Sequence, residues 1–173
     1  MAADAAIIAA TVRDAYSMYL SRMPKPPGPM LDDYDAVVAR GEASVLEIDG
    51  KIAGIVVLVD EPDHLLLENV AVSSQHKGQG LGRQLVEFSE SEARRRGFTE
   101  VRLYTHETMV ENQALYKRLG FVEIHRRGSH VKMEHPDGRR IVFPFHDEID
   151  RYTLRGALRD ASIDLAEFLK HVK

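Results

Sequence analysis

Residues 65–83, LLLENVAVSSQHKGQGLGR, constrain this chain more than any other stretch. Five of the first eight residues are Leu or Val, an apolar run that suits a strand buried on both faces. The run then breaks into a loop holding Gly78, Gly80 and Gly82, and a helical pattern through Leu81, Leu85, Phe88 and Ala93 follows until Gly97. The loop is therefore the turn between a strand and a helix N-terminus. First-turn amides lack intrahelical acceptors and sit at the positive end of the macrodipole, so such a turn can hold an anion. Glycines admit a ligand close to the backbone, and Lys77 and Arg83 add charge. Plain packing between strand and helix is the other reading of the same glycines.

Composition sets the outer bounds. At 173 residues and 44% apolar content, the chain can bury one ordinary core, or one core with a small appendage. A net charge of -4 does not suit a protein that coats nucleic acid as a whole. The absence of cysteine excludes disulfides, thiolate metal sites and a cysteine nucleophile. No stretch reaches the roughly 18 apolar residues of a membrane span, so a cytoplasmic protein is expected.

Before the central stretch, Ala5–Leu20 reads as an amphipathic helix with Ile8, Val12, Ala15 and Tyr19 on one face. Prolines 24, 26, 27 and 29 stop it. The RMPKPPGPM segment is read either as a rigid connection lining a substrate cleft or as a recognition motif. Asp32 or Asp33 can cap a second short helix ending before Gly41. Ser44–Ile48 and Lys51–Val59 are strand-like, with Asp49-Gly50 as a hairpin turn. After the helix of residues 81–96, Glu100–Thr105 alternates as a strand.

A second pattern follows in HETMVENQALYKRLGF. On a helix, Asn112 and Tyr116 share one face and Leu115 and Leu119 another. Asn112 as a cap and Tyr116 as packing would explain these residues without a site. QxxGxG (Gln75, Gly78, Gly80) after a VAV strand end, followed by NxxLYxxLGF, resembles the GNAT acetyltransferases over about residues 4–135. The loop is neither a Rossmann GxGxxG nor a P-loop, which needs GK followed by Ser or Thr.

The resemblance implies an α/β GNAT fold, a mixed central sheet flanked by helices, and acetyl-coenzyme A as cofactor. It implies that backbone groups of Val70 and Val72 hold the pantetheine arm and acetyl carbonyl. Gln75, His76, Lys77, Gly78, Gln79, Gly80, Leu81, Gly82 and Arg83 would then cradle the pyrophosphate, with Asn112 in contact with the cofactor. Tyr116 would be the general acid for the leaving thiolate. The implied chemistry is direct attack by an amine, needing proximity, a backbone amide for the oxyanion and removal of a proton from an ammonium group, with no metal. Glu68 is the first candidate base and His106 the second, and each has a purely structural reading. Members of the family usually open with a strand before the first helix. This chain begins MAADAAII, so the first edge strand is expected to be missing.

Phe121–Arg126 and Val131–Glu134 can supply the two strands that commonly close the family's fold. A third strand, Arg140–Phe145, and a helical pattern from Leu154 to Leu169 follow. From Glu111 the order is helix, three strands, helix. The wording LGFVEIHRRGSH, HPDGRRIVFPFH and TLRGALRDASIDLAEFL resembles the HicA toxin ribonucleases over about residues 111–173, whose GSH histidine corresponds to His130. Between Tyr116 and Arg140, seven Lys or Arg against three acids suit contact with phosphates. A basic solvated hairpin with a surface histidine explains the same residues without RNA.

The expected organisation is an acetyltransferase domain over 1–120 and a HicA-like extension over 121–173, sharing the helix that carries Tyr116. The shared 121–134 hairpin either completes the main sheet or joins a separate ribonuclease-like sheet. Three functions follow: acetyl transfer to a primary amine; an RNA-cleaving module using His130, neutralised by a HicB-like antitoxin; or a non-catalytic RNA-binding, partner-binding or homodimer surface. Acceptors in view are a small amine, a peptide or an aminoacyl-tRNA.

Overall fold

The computed structural model describes residues 2–23, 25–103, 108–119, 122–127, 130–134 and 140–143. The first helix, α1 (Ala2–Tyr16), buries Ala5, Ile8, Val12 and Ala15, spaced three or four apart along one face, and Tyr16 one turn after Val12. The regular helix ends at Tyr16 rather than at Leu20: Ser17–Tyr19 tighten into a 3-10 turn and Leu20 is exposed. Another single 3-10 turn, Gly28–Met30, follows the prolines. The short helix α2 (Tyr34–Ala39) is capped by Asp33, whose Oδ1 accepts the Ala36 N–H at 3.1 Å. Such a cap contributes about 1 kcal/mol.

Strands β1 (Ala43–Ile48) and β2 (Lys51–Asp60) form the expected hairpin. Asp49 and Gly50 both have positive φ, 50° and 71°, the condition for a two-residue turn matching the strand twist. In β2 the run Ala53–Leu58 is buried throughout, because both faces of the sheet are covered. Strand β3 (Leu65–Val72) pairs antiparallel with β2, and β4 (Val101–Leu103) lies parallel to β3 across the helix α3 (Leu81–Arg95). The sheet is thus mixed, in the order β1-β2-β3-β4.

Two apolar layers hold this sheet. On one face Ile8, Val12, Tyr16 and Tyr19 join Tyr34, Val37, Ile55, Val57 and Ala71. On the other, Leu85, Val86 and Ala93 of α3 and Tyr116 of helix α4 (Val110–Arg118) pack on Val56, Leu58, Leu65, Leu67 and Leu103. Phe88, read as a core position of α3, is instead 40% exposed, while Ser89 is fully buried with its hydroxyl donating to the Leu85 carbonyl at 2.8 Å. The stripe that meets the sheet runs through Leu85, Val86, Ser89 and Ala93, and Phe88 falls just outside it.

Strands β5 (Val122–Arg127), β6 (His130–Glu134) and β7 (Arg140–Phe143) form a second, antiparallel sheet in that order, with β7 the strand that comes close to β4. Among the described residues the hairpin therefore pairs with β7 rather than with the main sheet. The final helical pattern of residues 154–169, the expected Phe145 end of β7 and the last residues of the Glu100–Thr105 strand lie outside the described residues.

Candidate functional site

The second half of β3 changes character. Leu65–Leu67 are buried in sequence, but from Glu68 onward burial alternates, with Asn69 and Ala71 buried and Glu68, Val70 and Val72 half-buried. A bulge causes the change. Val57 pairs with Asn69 while the next residue, Leu58, pairs with Leu67, leaving Glu68 as the extra residue.

A buried chain of hydrogen bonds pins this bulge to the α1–α2 side. The Tyr16 hydroxyl donates to Asn69 Oδ1 at 2.8 Å, Asn69 Nδ2 donates to the Tyr34 oxygen at 2.9 Å, and the Tyr34 hydroxyl donates to the Pro29 carbonyl at 2.8 Å. Burial, then the nearby Asp32 carboxylate, pushes the Tyr34 phenol far above its ordinary range, so it remains a neutral donor. Glu68 lies within electrostatic reach of Tyr34 and Arg40.

Past Val72 the chain passes through a 3-10 turn, Ser74–His76, and enters α3. Gly80 is the N-cap, at φ 82°, a left-handed conformation that costs a side-chain-bearing residue strain. No side chain caps α3, so the amides of its first turn are left to water or a ligand. Gly82 serves a different need: a Cβ there would come within 3.3 Å of Leu115 Cδ2 on α4. The loop is fastened by Asp14, whose carboxylate accepts the Ser74 N–H at 2.6 Å, and by a 2.8 Å contact between Ser73 Oγ and His76 Nδ1.

Between this loop, the end of β3, the end of α1 and α4 lies a cleft of ≈ 680 Å³. Of the residues expected to bind a cofactor, Val70, Val72, His76, Lys77, Gly78, Gly80, Leu81, Gly82, Arg83 and Asn112 line it. Gln75 and Gln79 are exposed on the loop and are not among its lining. Arg83 is ion-paired with Glu87 at 2.6 Å, so its charge is partly committed along the helix. The lining fits a long phosphorylated ligand: it brings the uncapped first turn of α3 together with the cations Lys77 and Arg118 and the apolar Val70, Val72, Leu115 and Leu119.

Tyr116, the expected general acid, is 2% exposed and packs in the core between α3, α4 and the sheet. It is not among the residues lining the cleft, and burial holds its phenol well above the ordinary tyrosine range. His130 opens β6 and pairs with Arg127 of β5, in the other sheet. His106 lies outside the described residues.

The structure adds residues that motif spacing did not single out as site residues. Ala15, Tyr16, Met18 and Tyr19 form the wall opposite α4. Tyr16 and Tyr19 stack edge-on, with centroids 5.8 Å apart, and the Arg22 guanidinium sits 5.6 Å above the Tyr19 ring. Arg22 Nη1 also meets both carboxylate oxygens of Glu111 at 2.9 and 3.0 Å, joining the end of α1 to α4. The signal in the sequence was the pair of tyrosines three apart at the close of an amphipathic helix, which reads equally well as core.

The acetyltransferase (GNAT) family profile matches residues 9–121, and that of the HicA toxin of bacterial toxin-antitoxin systems matches residues 111–163. The chain is 38% identical over 89 residues to N-acetyltransferase family 8 member 2 of Rattus norvegicus, covering 48% of this chain and 39% of the relative. The chain thus spans well under half of that relative's length. The fold is shared with a PaiA N-acetyltransferase from Thermoplasma acidophilum, solved with coenzyme A, at TM-score 0.64 and 16% identity over 75% of this chain and 91% of that one. It is shared as well with the ribosomal-protein-S18-alanine N-acetyltransferase of Escherichia coli, at TM-score 0.56 and 22% identity over 87% and 95%.

Proposed function

Because the chain belongs to the acetyltransferase (GNAT) family, with residues 9–121 of its 173 matched, we propose that it transfers the acetyl group of acetyl-coenzyme A to a primary amine. The observation that carries this is the cleft itself, where an uncapped α3 N-terminus, Val70 and Val72 of β3 and Asn112 of α4 converge. Bound acetyl-coenzyme A supplies an acetyl group activated as a thioester. The loop from Gln75 to Arg83 holds its pyrophosphate through backbone amides and Lys77. Val70 and Val72 offer backbone groups to the pantetheine arm and the carbonyl oxygen. Glu68 at the bulge would take the acceptor's proton.

Isothermal calorimetry with acetyl-coenzyme A tests the reading. Binding by the wild-type protein and its loss in Gly80→Val is the expected result. Absence of binding by both sinks the proposal. The working domain division is 1–120 for acetyl transfer and 121–173 for an extension. No helix among the described residues is long and apolar enough to cross a membrane, and a cytoplasmic setting with a small amine, peptide or aminoacyl-tRNA acceptor is the corresponding reading.

A second function is favoured by one specific observation. Helix α4 is followed by β5, β6 and β7 in a sheet of their own, over the stretch similar to HicA toxins. In its register His130 pairs with Arg127 and His125 with Lys132, two cross-strand pairs of cationic or titratable residues. This supports an RNA-interacting extension, cleaving or only binding, with a HicB-like protein as partner. Expressing the wild type and His130→Ala in cells separates the options: toxicity that survives the substitution removes His130 from the mechanism.

A further inference from the structure

We propose that the cofactor cleft and the β5–β7 sheet are thermodynamically linked: filling the cleft stabilises the extension, and whatever the extension engages changes cofactor affinity by the same factor. The linkage rests on the acetyltransferase reading above and adds a regulation to that site, in which the supply of coenzyme A sets how firmly the extension is held.

Two elements belong to both halves, and helix α4 is the first. Asn112 and Leu115, with Leu119 just past the helix end, line the cleft. The acetyltransferase and HicA toxin profiles, matching residues 9–121 and 111–163, overlap on the same helix. Only residues 120 and 121 separate Leu119 from the start of β5 at Val122, and three residue steps reach at most about 11 Å, so β5 stays tethered to α4. Strand β4 is the second. One of its edges pairs with β3 through Leu65–Leu67, and β7 comes within 8 Å of β4, Cα to Cα. No ladder joins β4 to β7 among the described residues, so the seam is side-by-side packing that can tighten or loosen without breaking a ladder.

The route from the cleft to these elements is continuous packing. A phosphate on the uncapped first turn of α3 fixes the segment in which Gly82 faces α4, where a Cβ would stand 3.3 Å from Leu115 Cδ2. So close an approach leaves α3 little room to shift independently of α4. Away from the cleft, α4 carries Tyr116, which packs with Leu103 of β4 and with Leu65 and Leu67 of β3 in one apolar cluster. Arg22 holds the first turn of α4 through Glu111 at 2.9 Å, which fixes the helix to the α1 wall as well. A ligand that fastens α3 and α4 therefore fastens β4 from within. The β3–β4 pairing is parallel and described over three residues of each strand, a short ladder whose other edge gains from cover. Cover by β7 ties that gain to the extension.

Amide hydrogen exchange on the full chain, with and without saturating coenzyme A, tests the linkage. Coenzyme A is expected to slow the loop of residues 73–83 by direct contact. It is also expected to slow the amides of β5, β6 and β7 by about threefold or more, at times when the amides of β2 have not yet exchanged. A slowed loop with β5–β7 unchanged overturns the proposal. So does a slowing of β5–β7 that appears only in step with β2, since that reports stabilisation of the whole fold. Reciprocity gives a second arm. Val142→Pro removes an N–H from β7 and is expected to weaken coenzyme A about threefold or more in calorimetry, whereas unchanged affinity overturns the linkage. A proline that unfolded the whole chain would abolish binding too, and the wild-type exchange result decides in that case. If the loop itself is not slowed, coenzyme A does not bind, and the acetyltransferase reading falls together with the linkage built on it.

Discussion

Asn69 donates to the Tyr34 oxygen at 2.9 Å while accepting from the Tyr16 hydroxyl at 2.8 Å, so one buried amide ties α1, α2 and the β3 bulge together. The Asn69 side chain sits at 2% exposure, where a polar atom deprived of its partner cannot turn to water. Asn69→Ala is expected to destabilise the protein by about 2 kcal/mol through the stranded hydroxyls. Urea denaturation measures it, and an unchanged midpoint would show that the network is not a source of stability.

The N-cap of α3 separates binding from folding. A Cβ at Gly80 meets nothing within 4 Å, so the cost of a substitution there is the left-handed backbone alone, at φ 82°. Gly80→Val should therefore lower stability by only about 1–2 kcal/mol. Coenzyme A affinity should fall at least about tenfold, because a β-branched side chain stands where a phosphate approaches the amides. Calorimetry beside thermal unfolding distinguishes this from global loss of structure.

The two apolar residues of α3, Leu85 and Phe88, should behave oppositely. Leu85 is 3% exposed against the sheet and Phe88 40% exposed. Leu85→Ala is expected to cost about 2–5 kcal/mol and Phe88→Ala less than about 1 kcal/mol. Equal effects in chemical denaturation would mean that the buried face of α3 has been misassigned.

Acid sensitivity should trace in part to Glu92. Hydrogen bonds from Arg95 at 2.9 and 2.7 Å, with Arg96 beyond, hold its carboxyl down to about 2 from an ordinary 4.5, against the opposing effect of burial. A depressed carboxylate contributes stability that is full above pH 4.5 and is lost as pH falls toward 2. The stability difference between wild type and Glu92→Gln should thus be largest near neutrality and close by about pH 2. Urea midpoints at a series of pH values read this directly, and a gap that persists to pH 2 would contradict it.

What could be read in advance was short-range. Asp49-Gly50, the Asp33 cap, the apolar run of β2, the entry to β3 and the glycine-rich turn into α3 all depend on residues within a few positions of one another. Phe88 misled because a helical period specifies a stripe only to within one residue of its edge, and Ser89, polar by type, satisfies its hydroxyl on its own helix.

The sequence by itself determined the fold family, the order of elements and the loop before α3, since these follow from local propensity and two spaced motifs. Only the tertiary structure decided which tyrosines line the cleft. Tyr16, Tyr19, Tyr34 and Tyr116 are alike as residues, and their roles differ through partners far along the chain: Asn69 for Tyr16 and Tyr34, Asn112 for Tyr19, the apolar face of α3 and the sheet for Tyr116. The physical reason is that burial and hydrogen-bond partnership are properties of assembled neighbours, and those neighbours are set by how the layers pack on the sheet.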